Sequence, residues 1–358
     1  EQGVTNGTLV GPSRVYREVA SEASGRQAVK LSETGEYVEF QTAKDANSIV
    51  LRYSIPDSED GQGLNETLGL YVNGEFRQKL ELTSKYAWEY GSYPWSNDPK
   101  QGSGHRFFDE IHALIGEIPA GSTIRLEKDA DSKADYYIVD LVELEQVADP
   151  FAMPEGFVSV TEYGAAANDG QDDTAAFKQA MAAAQAANSG VWFPAGEFEL
   201  GDGVLYLDQV TIRGAGMWHT RLNGAKFVGK GSNIQVYDLL IDGGLNERDD
   251  EAITNAFHGG FGPGSVIQNV WIEHTKAGLW LTKLKESDEY THGLYMAGLR
   301  IRNLMADGIN FCVGTADSMM EQSDIRYPGD DGIAIWSAEG RASIRNVARF
   351  NNVSLPWL

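Results

Sequence analysis

Residues 1 to about 146 contain short runs in which apolar and polar side chains alternate. Such alternation is typical of β-strands that are buried on one face. The dipeptide Asn73-Gly74 separates two of these runs and favours the two-residue turn of a β-hairpin. Many short strands joined by turns predict a β-sandwich for residues 1–146. The alternating runs are 36–40, 48–55, 68–72, 123–126 and 136–144.

The segment 147–157 interrupts this pattern. It contains Pro150, Pro154 and Gly156 and has no apolar periodicity. Such composition is typical of a loop or an interdomain connection. We therefore predict a linker at 147–157 and a second domain at 158–358.

The second domain opens with an alanine-rich stretch that predicts one helix ending near Ala187. Asp172 or Asp173 is the expected N-cap, because a carboxylate accepts the free amide protons of the first helical turn. A long series of short apolar runs follows the helix. The first of them lies at 190–193.

An internal repeat appears within this series when three segments are aligned on Gly278, Gly308 and Gly332, which are spaced 308 − 278 = 30 and 332 − 308 = 24 residues apart. Short strands at such a period, with no helix between them, indicate a parallel β-helix. We expect the helix to cap its N-terminal end, which would otherwise be an exposed edge. The last segment, 352–358, stops inside what looks like another rung, so further C-terminal rungs are expected to be missing.

The net charge, the apolar runs and the cysteine count of the chain exclude several kinds of binding partner and site. The chain has 358 residues, with 29 Lys and Arg against 52 Asp and Glu, for a net charge of −23. This charge disfavours nucleic acid and anionic membranes as partners, and no apolar run is long enough to span a bilayer. The single cysteine, Cys312, excludes an intrachain disulfide and a cysteine-type zinc site. A monomeric, secreted bacterial protein that acts on polysaccharide fits best, although other acidic soluble proteins share this composition.

Three aspartates are the strongest candidates for chemistry. The glycine alignment places Asp307 and Asp331 at equivalent positions of successive coils, with Asp330 adjacent. Carboxylates this close cannot all ionise readily, so one should retain its proton to a higher pH. Glycoside hydrolysis needs that division between an acid and a base. A simple turn at 329–332 and a calcium site remain open as alternatives.

The segments 305–311 and 327–337 resemble the catalytic region of glycoside hydrolase family 87, the bacterial α-1,3-glucanases and mycodextranases. The spacing 330 − 307 = 23 agrees with the arrangement of that family's essential aspartates. The resemblance implies Asp330 as general acid, with Asp307 and Asp331 positioning the attacking water, and inversion at the anomeric carbon. It also implies a right-handed β-helix after a β-sandwich, with no cofactor needed for catalysis.

The same three-aspartate logic is similar to that of polygalacturonases, but the Gly-His-Gly and Arg-Ile-Lys motifs that serve galacturonate do not occur here. A neutral glucan is therefore the expected substrate, and the resemblance to family 87 implies an α-glucan that is cleaved at α-1,3 bonds within the chain. The alternatives are a mycodextranase acting on alternating α-1,3/α-1,4-glucan, a non-catalytic glycan-binding β-helix and, last, a polysaccharide lyase.

Residues beside the aspartates are candidates for binding substrate. They are Asn310, Tyr327 and Trp336. An aromatic ring can stack on the apolar face of a sugar, although Trp336 is equally explained by packing between rungs. His292 could overhang the cleft, but a solvated loop histidine is the simpler interpretation.

Two further features concern metals and glycans. Segments 23–31 and 137–144 resemble carbohydrate-binding modules of the family 6/35 type, which implies a structural calcium at Asp140. The usual Glu-Ala-Glu opening of such modules is replaced by Arg17-Glu18-Val19-Ala20. The aromatic stretch 84–95 is expected to pack against the β-helix or to bind glycan. The acidic run 242–251 is interpreted as a charged surface loop or a calcium site.

Overall fold

The computed structural model describes residues 3–283 and 289–355. It divides into two compact units, Glu1–Ala148 and Asp149–Leu358. Among the described residues the helices are α1 (Val19–Glu22) and α2 (Thr174–Ala186), with short 3-10 turns at Ser24–Arg26, Pro99–Gln101 and Val160–Tyr163. Neither helix has the length and apolar character that a membrane crossing requires.

The first unit is built from antiparallel strands. Two five-stranded sheets have the orders β1-β4-β11-β6-β7 and β10-β5-β12-β3-β2, and β8 pairs with β9. The strands are β1 (Val4–Thr5), β2 (Thr8–Val10), β3 (Ala28–Leu31), β4 (Tyr37–Gln41), β5 (Ala46–Ser54), β6 (Asn65–Val72), β7 (Glu75–Thr83), β8 (Glu89–Tyr90), β9 (Gly104–His105), β10 (Asp109–Ile118), β11 (Thr123–Glu127) and β12 (Tyr137–Glu145).

Apolar and polar side chains alternate along these strands, and the apolar ones pack into a single core. In β11 the side chains of Ile124 and Leu126 are buried, while their neighbours are partly exposed. One core cluster takes residues from strands of both sheets, as expected for a β-sandwich. The predicted hairpin is confirmed, since Val72 pairs with Glu75 across Asn73 and Gly74, both at positive φ.

The second unit consists of parallel strands. Each turn of the chain adds strands to three columns, which are stacked rung on rung. The strands are β13 (Val158–Ser159), β14 (Gly190–Phe193), β15 (Gly196–Glu199), β16 (Leu205–Leu207), β17 (Val210–Gly214), β18 (Thr220–Asn223), β19 (Phe227–Gly231), β20 (Ile234–Asp242), β21 (Phe257–Phe261), β22 (Val266–Glu273), β23 (Leu279–Leu281), β24 (Tyr295–Ala297), β25 (Arg300–Arg302), β26 (Ile309–Cys312), β27 (Met319–Glu321), β28 (Asp324–Arg326), β29 (Ile333–Trp336), β30 (Val347–Arg349) and β31 (Asn352–Ser354).

The three columns follow one another along the chain. The first runs β13-β14-β17-β20-β22-β24-β27-β30, and the second runs β15-β18-β20-β22-β25-β28-β31, sharing the long strands β20 and β22. The third is the separate sheet β16-β19-β21-β23-β26-β29. Between the units, residues 147–157 form no helix or strand. The three stacked columns of parallel strands form the parallel β-helix that the repeat predicts.

A continuous apolar column fills the coils. Phenylalanine rings stack along it, with centroids 5.4 Å apart for Phe177 and Phe193, 6.2 Å for Phe177 and Phe227, and 5.7 Å for Phe227 and Phe257. Because each coil alone would expose its inward face, the core forms only when neighbouring rungs stack.

Helix α2 joins this core through Phe177, Ala180 and Ala184. Asp173 is its N-cap residue, as one of the two predicted positions, but its carboxylate makes no capping bond to the first turn. It accepts instead from the backbone N–H of Ala166 at 3.1 Å. The expected capping role of the side chain is therefore wrong, because the preceding loop uses the oxygen.

The register confirms the glycine alignment. Ile309 pairs with Leu279 on one side and with Ile333 on the other. The backbone N–H of Gly308 donates to the carbonyl of Asp331 at 2.8 Å. A Cβ on Gly308 would lie 2.5 Å from the carbonyl oxygen of Gly332, so a side chain there would push the rungs apart.

We predict that Gly308→Ala destabilises the second unit by about 1–3 kcal/mol, the usual cost of forcing an extra methyl group into a packed position. Thermal unfolding followed by circular dichroism measures the effect. Gly201→Ala is the matched control, because no atom lies within 4 Å of its Cβ position. Equal melting temperatures for the two variants would contradict the close stacking of these rungs.

Candidate active site

Three carboxylates meet at the turn between the second and third columns. Asp307 lies just before β26, while Asp330 and Asp331 lie just before β29 on the next rung. One oxygen from each carboxylate lies within 4.8 Å of the others. The prediction that these three side chains lie close together is therefore confirmed.

Asp307 is the most buried of the three, with 7% of its surface exposed. Its Oδ2 accepts a hydrogen bond from Asn310 Nδ2 at 2.6 Å, and its Oδ1 accepts from the backbone N–H of Asp331 at 3.2 Å. Burial raises the pKa of Asp307 to about 6, and the charges of Asp330 and Asp331 add to the rise while the Asn310 donor opposes it. In the free protein Asp307 thus holds a proton to a higher pH than an ordinary aspartate.

Asp330 faces a cation that the sequence interpretation missed. The Nη1 atom of Arg248 lies 3.8 Å from Asp330 Oδ2, and the guanidinium side chain is 9% exposed. Arg248 also donates to the Met305 carbonyl at 3.3 Å and to Asp250 Oδ1 at 2.8 Å. Arg248 is the single basic residue in the run 242–251, which was the one signal that could have drawn attention to it.

The segment that carries Arg248 is held by a second buried cation. Lys276 Nζ donates to the backbone carbonyls of Asp249 at 2.9 Å and Asp250 at 3.1 Å, and also to that of Ala252. Burial lowers the pKa of Lys276, and the neighbouring acidic residues partly offset this effect. The loop between β20 and β21 is therefore anchored beside the aspartates.

The predicted substrate-binding residues lie in different environments. Asn310 is buried and bonded to Asp307, as described above. Tyr327 is also buried, so its ring offers little open surface. Trp336 is 45% exposed and meets the ring of Trp280 edge-on, with centroids 6.5 Å apart. Exposed His292 bonds through Nδ1 to the Tyr290 carbonyl, in line with a solvated loop.

Asp140 does not offer the open oxygens that a calcium ligand needs. Its side chain is fully buried, one oxygen accepts from the guanidinium of Arg52, and the other accepts from the backbone N–H of Ser24 at 2.7 Å. A guanidinium in this place already neutralises the carboxylate and would repel a second cation. These residues do not fit the calcium ion expected from the resemblance.

The acidic run 242–251 is only partly a surface loop. Asp242 is buried at the end of β20, where one oxygen contacts Arg221 and the other lies 3.0 Å from His274 Nδ1. Burial opposes ionisation, but His274 and Arg221 outweigh it and hold the pKa of Asp242 below its usual range. Glu273 lies beside this group, 3.7 Å from Arg221. Arg221 and His274 therefore compensate the negative charge of this buried cluster within the protein.

Parallel strands in three columns, with an acidic cluster at one turn, define a pectate-lyase-like β-helix protein. Residues 157–354 match the family model described as rhamnogalacturonase A/epimerase, pectate lyase-like. Residues 1–147 match the model described as alpha-1,3-glucanase catalytic domain D1. With these matches and the structural ones below, the chain belongs to the pectate-lyase-like proteins and, among them, to glycoside hydrolase family 87.

Solved structures of high similarity span most of this chain. It is similar to the Agl-KA catalytic domain, with 34% identity and a TM-score of 0.87 over 99% of this chain and 65% of that one. The catalytic unit of a thermostable GH87 α-1,3-glucanase from Streptomyces thermodiastaticus strain HF3-3 has 32% identity and a TM-score of 0.87, with 99% and 62% covered. A GH87 α-1,3-glucanase catalytic domain in complex with nigerose has 26% identity and a TM-score of 0.82, with 98% and 64% covered. No curated protein matches the sequence.

We predict that Asp307→Asn stabilises the fold at neutral pH. A carboxyl whose folded pKa is raised to about 6, from 3.8 when unfolded, favours folding most below pH 3.8 and loses that contribution as the pH rises through 6. The amide avoids this loss. The difference in free energy of unfolding, variant minus wild type, should therefore be about 1–3 kcal/mol more favourable to the variant at pH 7.5 than at pH 4. Thermal unfolding at both values measures it.

Asp317→Asn is the control for this experiment, because an ion pair with Arg345 lowers the pKa of Asp317 and the sign is reversed. A gain for Asp307→Asn that is the same at pH 4 and pH 7.5 would show that the burial of its charge is not the cause.

Proposed function

We propose that this protein is an inverting glycoside hydrolase that cleaves α-1,3-glucosidic bonds within α-glucan chains. The observation that carries the proposal is the cluster of Asp307, Asp330 and Asp331, three carboxylates within 4.8 Å at one turn of the β-helix. Such a cluster supplies both a protonated acid and an ionised base near neutral pH. We further propose a monomeric, secreted bacterial enzyme that needs no cofactor.

Related structures support the choice of substrate and of residues. GH87 α-1,3-glucanase catalytic domains have been solved with nigerose and with tetrasaccharides. Three of the related structures carry aspartate-to-alanine substitutions, at positions separated by 23 residues and then by one. The aspartates of this chain have the same spacing, since 330 − 307 = 23 and 331 − 330 = 1.

The three carboxylates take different roles in the proposed reaction. Asp330 is partly exposed and protonates the glycosidic oxygen as it leaves. Asp307 and Asp331 hold the attacking water, and Asp307 takes its proton. A pKa of about 6 suits a base near neutral pH, because the ionised form is then available and still basic.

Arg248 favours this catalytic interpretation over calcium binding. Its guanidinium lies 3.8 Å from Asp330 and would repel a divalent ion held by the same three carboxylates. In the proposed reaction Arg248 holds Asp330 in place and stabilises its carboxylate after the proton has been given to the leaving group.

The finer description of the fold is also a proposal. By its family, the β-helix is right-handed, with α2 covering its N-terminal end and 147–157 linking it to the 1–146 sandwich. Inversion likewise rests on the family and not on the carboxylate separation. Two-carboxylate inverting enzymes usually hold these groups about 6.5–9.5 Å apart, whereas here the nearest oxygens are closer. A third carboxylate allows the water to bind beside the pair.

We predict that Asp330→Asn lowers the hydrolysis of insoluble α-1,3-glucan by about a thousandfold or more, since no proton reaches the leaving oxygen. The same variant should cleave an α-glucosyl fluoride of an α-1,3-linked oligosaccharide almost normally, because fluoride leaves without protonation. Reducing-sugar and fluoride release are the measurements.

Asp331→Asn is the matched control, because a residue that positions water is needed for both substrates. Full activity of Asp330→Asn on the glucan would overturn its role as the acid. If the folded wild type releases no sugar from α-1,3-glucan, dextran or alternating α-1,3/α-1,4-glucan, the result would favour a non-catalytic glycan-binding protein.

We predict that the first product formed has the β-anomeric configuration, because a single displacement inverts an α-linkage. Proton NMR during the first minutes of hydrolysis, before mutarotation, separates the β- from the α-anomer. An initial α-anomer would indicate retention and would assign one of the three carboxylates as a nucleophile.

A further inference from the structure

A row of outward-facing side chains leads away from the aspartates along the third column. The strand register places His258, Trp280 and Asn310 side by side on three successive rungs. Their neighbours Phe257, Leu279 and Ile309 belong to the core, so alternation directs the row to the outer face. With rungs about 4.8 Å apart, His258 and Asn310 are separated by about 10 Å.

The hydrogen bonds around His258 fix which ring nitrogen carries the proton. The backbone N–H of Ala277 donates to Asn255 Oδ1 at 3.1 Å, which orients the amide so that Nδ2 donates to His258 Nδ1 at 3.0 Å. Nδ1 therefore accepts, and the proton of a neutral ring lies on Nε2. Burial, followed by the charge of Lys276, lowers the pKa of His258 to about 4, so the ring is neutral above pH 5.

His258 thus presents a donor whose position is set by the protein. Within residues 3–283 and 289–355, no side chain or carbonyl accepts the Nε2 proton. A neutral ring with a fixed N–H suits the hydroxyl oxygen of an uncharged ligand.

Asn310 presents the complementary acceptor at the other end of the row. Its Nδ2 is committed to Asp307 Oδ2 at 2.6 Å, while Oδ1 is buried with no partner in the described part of the chain. Asn310 is only 2% exposed. A buried acceptor left without a donor costs about 1–3 kcal/mol, which a ligand hydroxyl would recover on binding.

Trp280 lies between this donor and this acceptor. Its side chain is partly exposed, and Trp336 meets it edge-on with ring centroids 6.5 Å apart. An indole held in this way is a surface on which the apolar face of a sugar ring can stack.

We propose that His258, Trp280 and Asn310 form a hexose-binding subsite beside Asp307, in which the sugar stacks on Trp280, accepts from His258 Nε2 and donates to Asn310 Oδ1. This subsite rests on the proposed α-glucan hydrolase function and extends it to the choice of sugar. Asn255 is a positioning residue that acts through His258. The rung spacing separates His258 and Asn310 by about 10 Å, and a pyranose about 5 Å across with a hydrogen bond of about 3 Å at each side has a similar reach.

The subsite explains how the protein selects a neutral sugar. The two polar atoms are uncharged, and the carboxylate of Asp307 lies directly beside Asn310. A uronic acid would place its negative charge near Asp307 and Asp331 and would be repelled. A glucose residue supplies hydroxyl groups for both polar atoms and an apolar face for the ring.

Binding of an α-1,3-linked glucose tetrasaccharide to the inactive Asp331→Asn protein tests the proposal by isothermal titration calorimetry. Adding His258→Ala or Trp280→Ala should weaken Kd by at least tenfold. His258→Gln retains a side-chain donor and should stay within about threefold. His292→Ala is the matched control, because His292 is an exposed histidine outside the row, and should leave Kd unchanged.

Asn255→Asp tests the tautomer directly. The carboxylate can still accept from Ala277, but it draws the imidazole proton to Nδ1. The ¹⁵N chemical shifts and couplings of His258 should then report protonated Nδ1, and Kd should weaken as it does in His258→Ala. An unchanged tautomer with weakened binding would mean that Asn255 acts only on the fold.

The outcomes separate this proposal from the function on which it rests. Hydrolysis of α-1,3-glucan by the wild type, together with unchanged Kd in both His258→Ala and Trp280→Ala, would overturn the subsite alone. If the wild type does not hydrolyse the glucan and Asp331→Asn does not bind the tetrasaccharide, both the subsite and the hydrolase function would be overturned. Should His258→Ala fail to fold by circular dichroism, Asn255→Asp and Trp280→Ala decide the question.

Discussion

Close stacking of the rungs at Gly278, Gly308 and Gly332 is the constraint on which the candidate active site depends. A Cβ on Gly278 or on Gly308 would lie 2.5 Å from the backbone oxygen of the next glycine in the column. Since only glycine allows this approach, the residues before the glycines keep the same position on every rung. Asp307 and Asp331 are such residues, and their separation is therefore set by the backbone ladder.

Charge compensation distinguishes the active site from the other buried acidic cluster. Asp242 and Glu273 lie with Arg221 and His274, and the cations hold the pKa of Asp242 low. At the aspartate turn Arg248 lies beside Asp330, 3.8 Å away, and burial raises the pKa of Asp307 to about 6. The first arrangement stabilises a fixed charge, whereas the second lets Asp307 retain its proton to a higher pH than an ordinary aspartate.

The polar groups around the site come from several rungs and act together. Lys276 anchors the loop that carries Arg248, and its charge adds to the burial that lowers the pKa of His258. Asn310 donates from Nδ2 to Asp307, and its Oδ1 is buried without a partner in the described part of the chain. Residues from several rungs therefore set the environment of the carboxylates and of the side chains proposed to face the sugar.

Four features could be predicted from the amino-acid sequence: the strand-rich architecture, the hairpin at Asn73-Gly74, the alignment on Gly278, Gly308 and Gly332, and the meeting of the three aspartates. Each depends on local turn chemistry or on a repeat whose period is visible along the chain. Arg248, Lys276, Asn255 and His258 were not foreseen, and the expected roles of Asp140 and Asp173 were not matched. Their partners lie on other strands or loops, so only the tertiary structure decides which charge each side chain meets and whether water still reaches it.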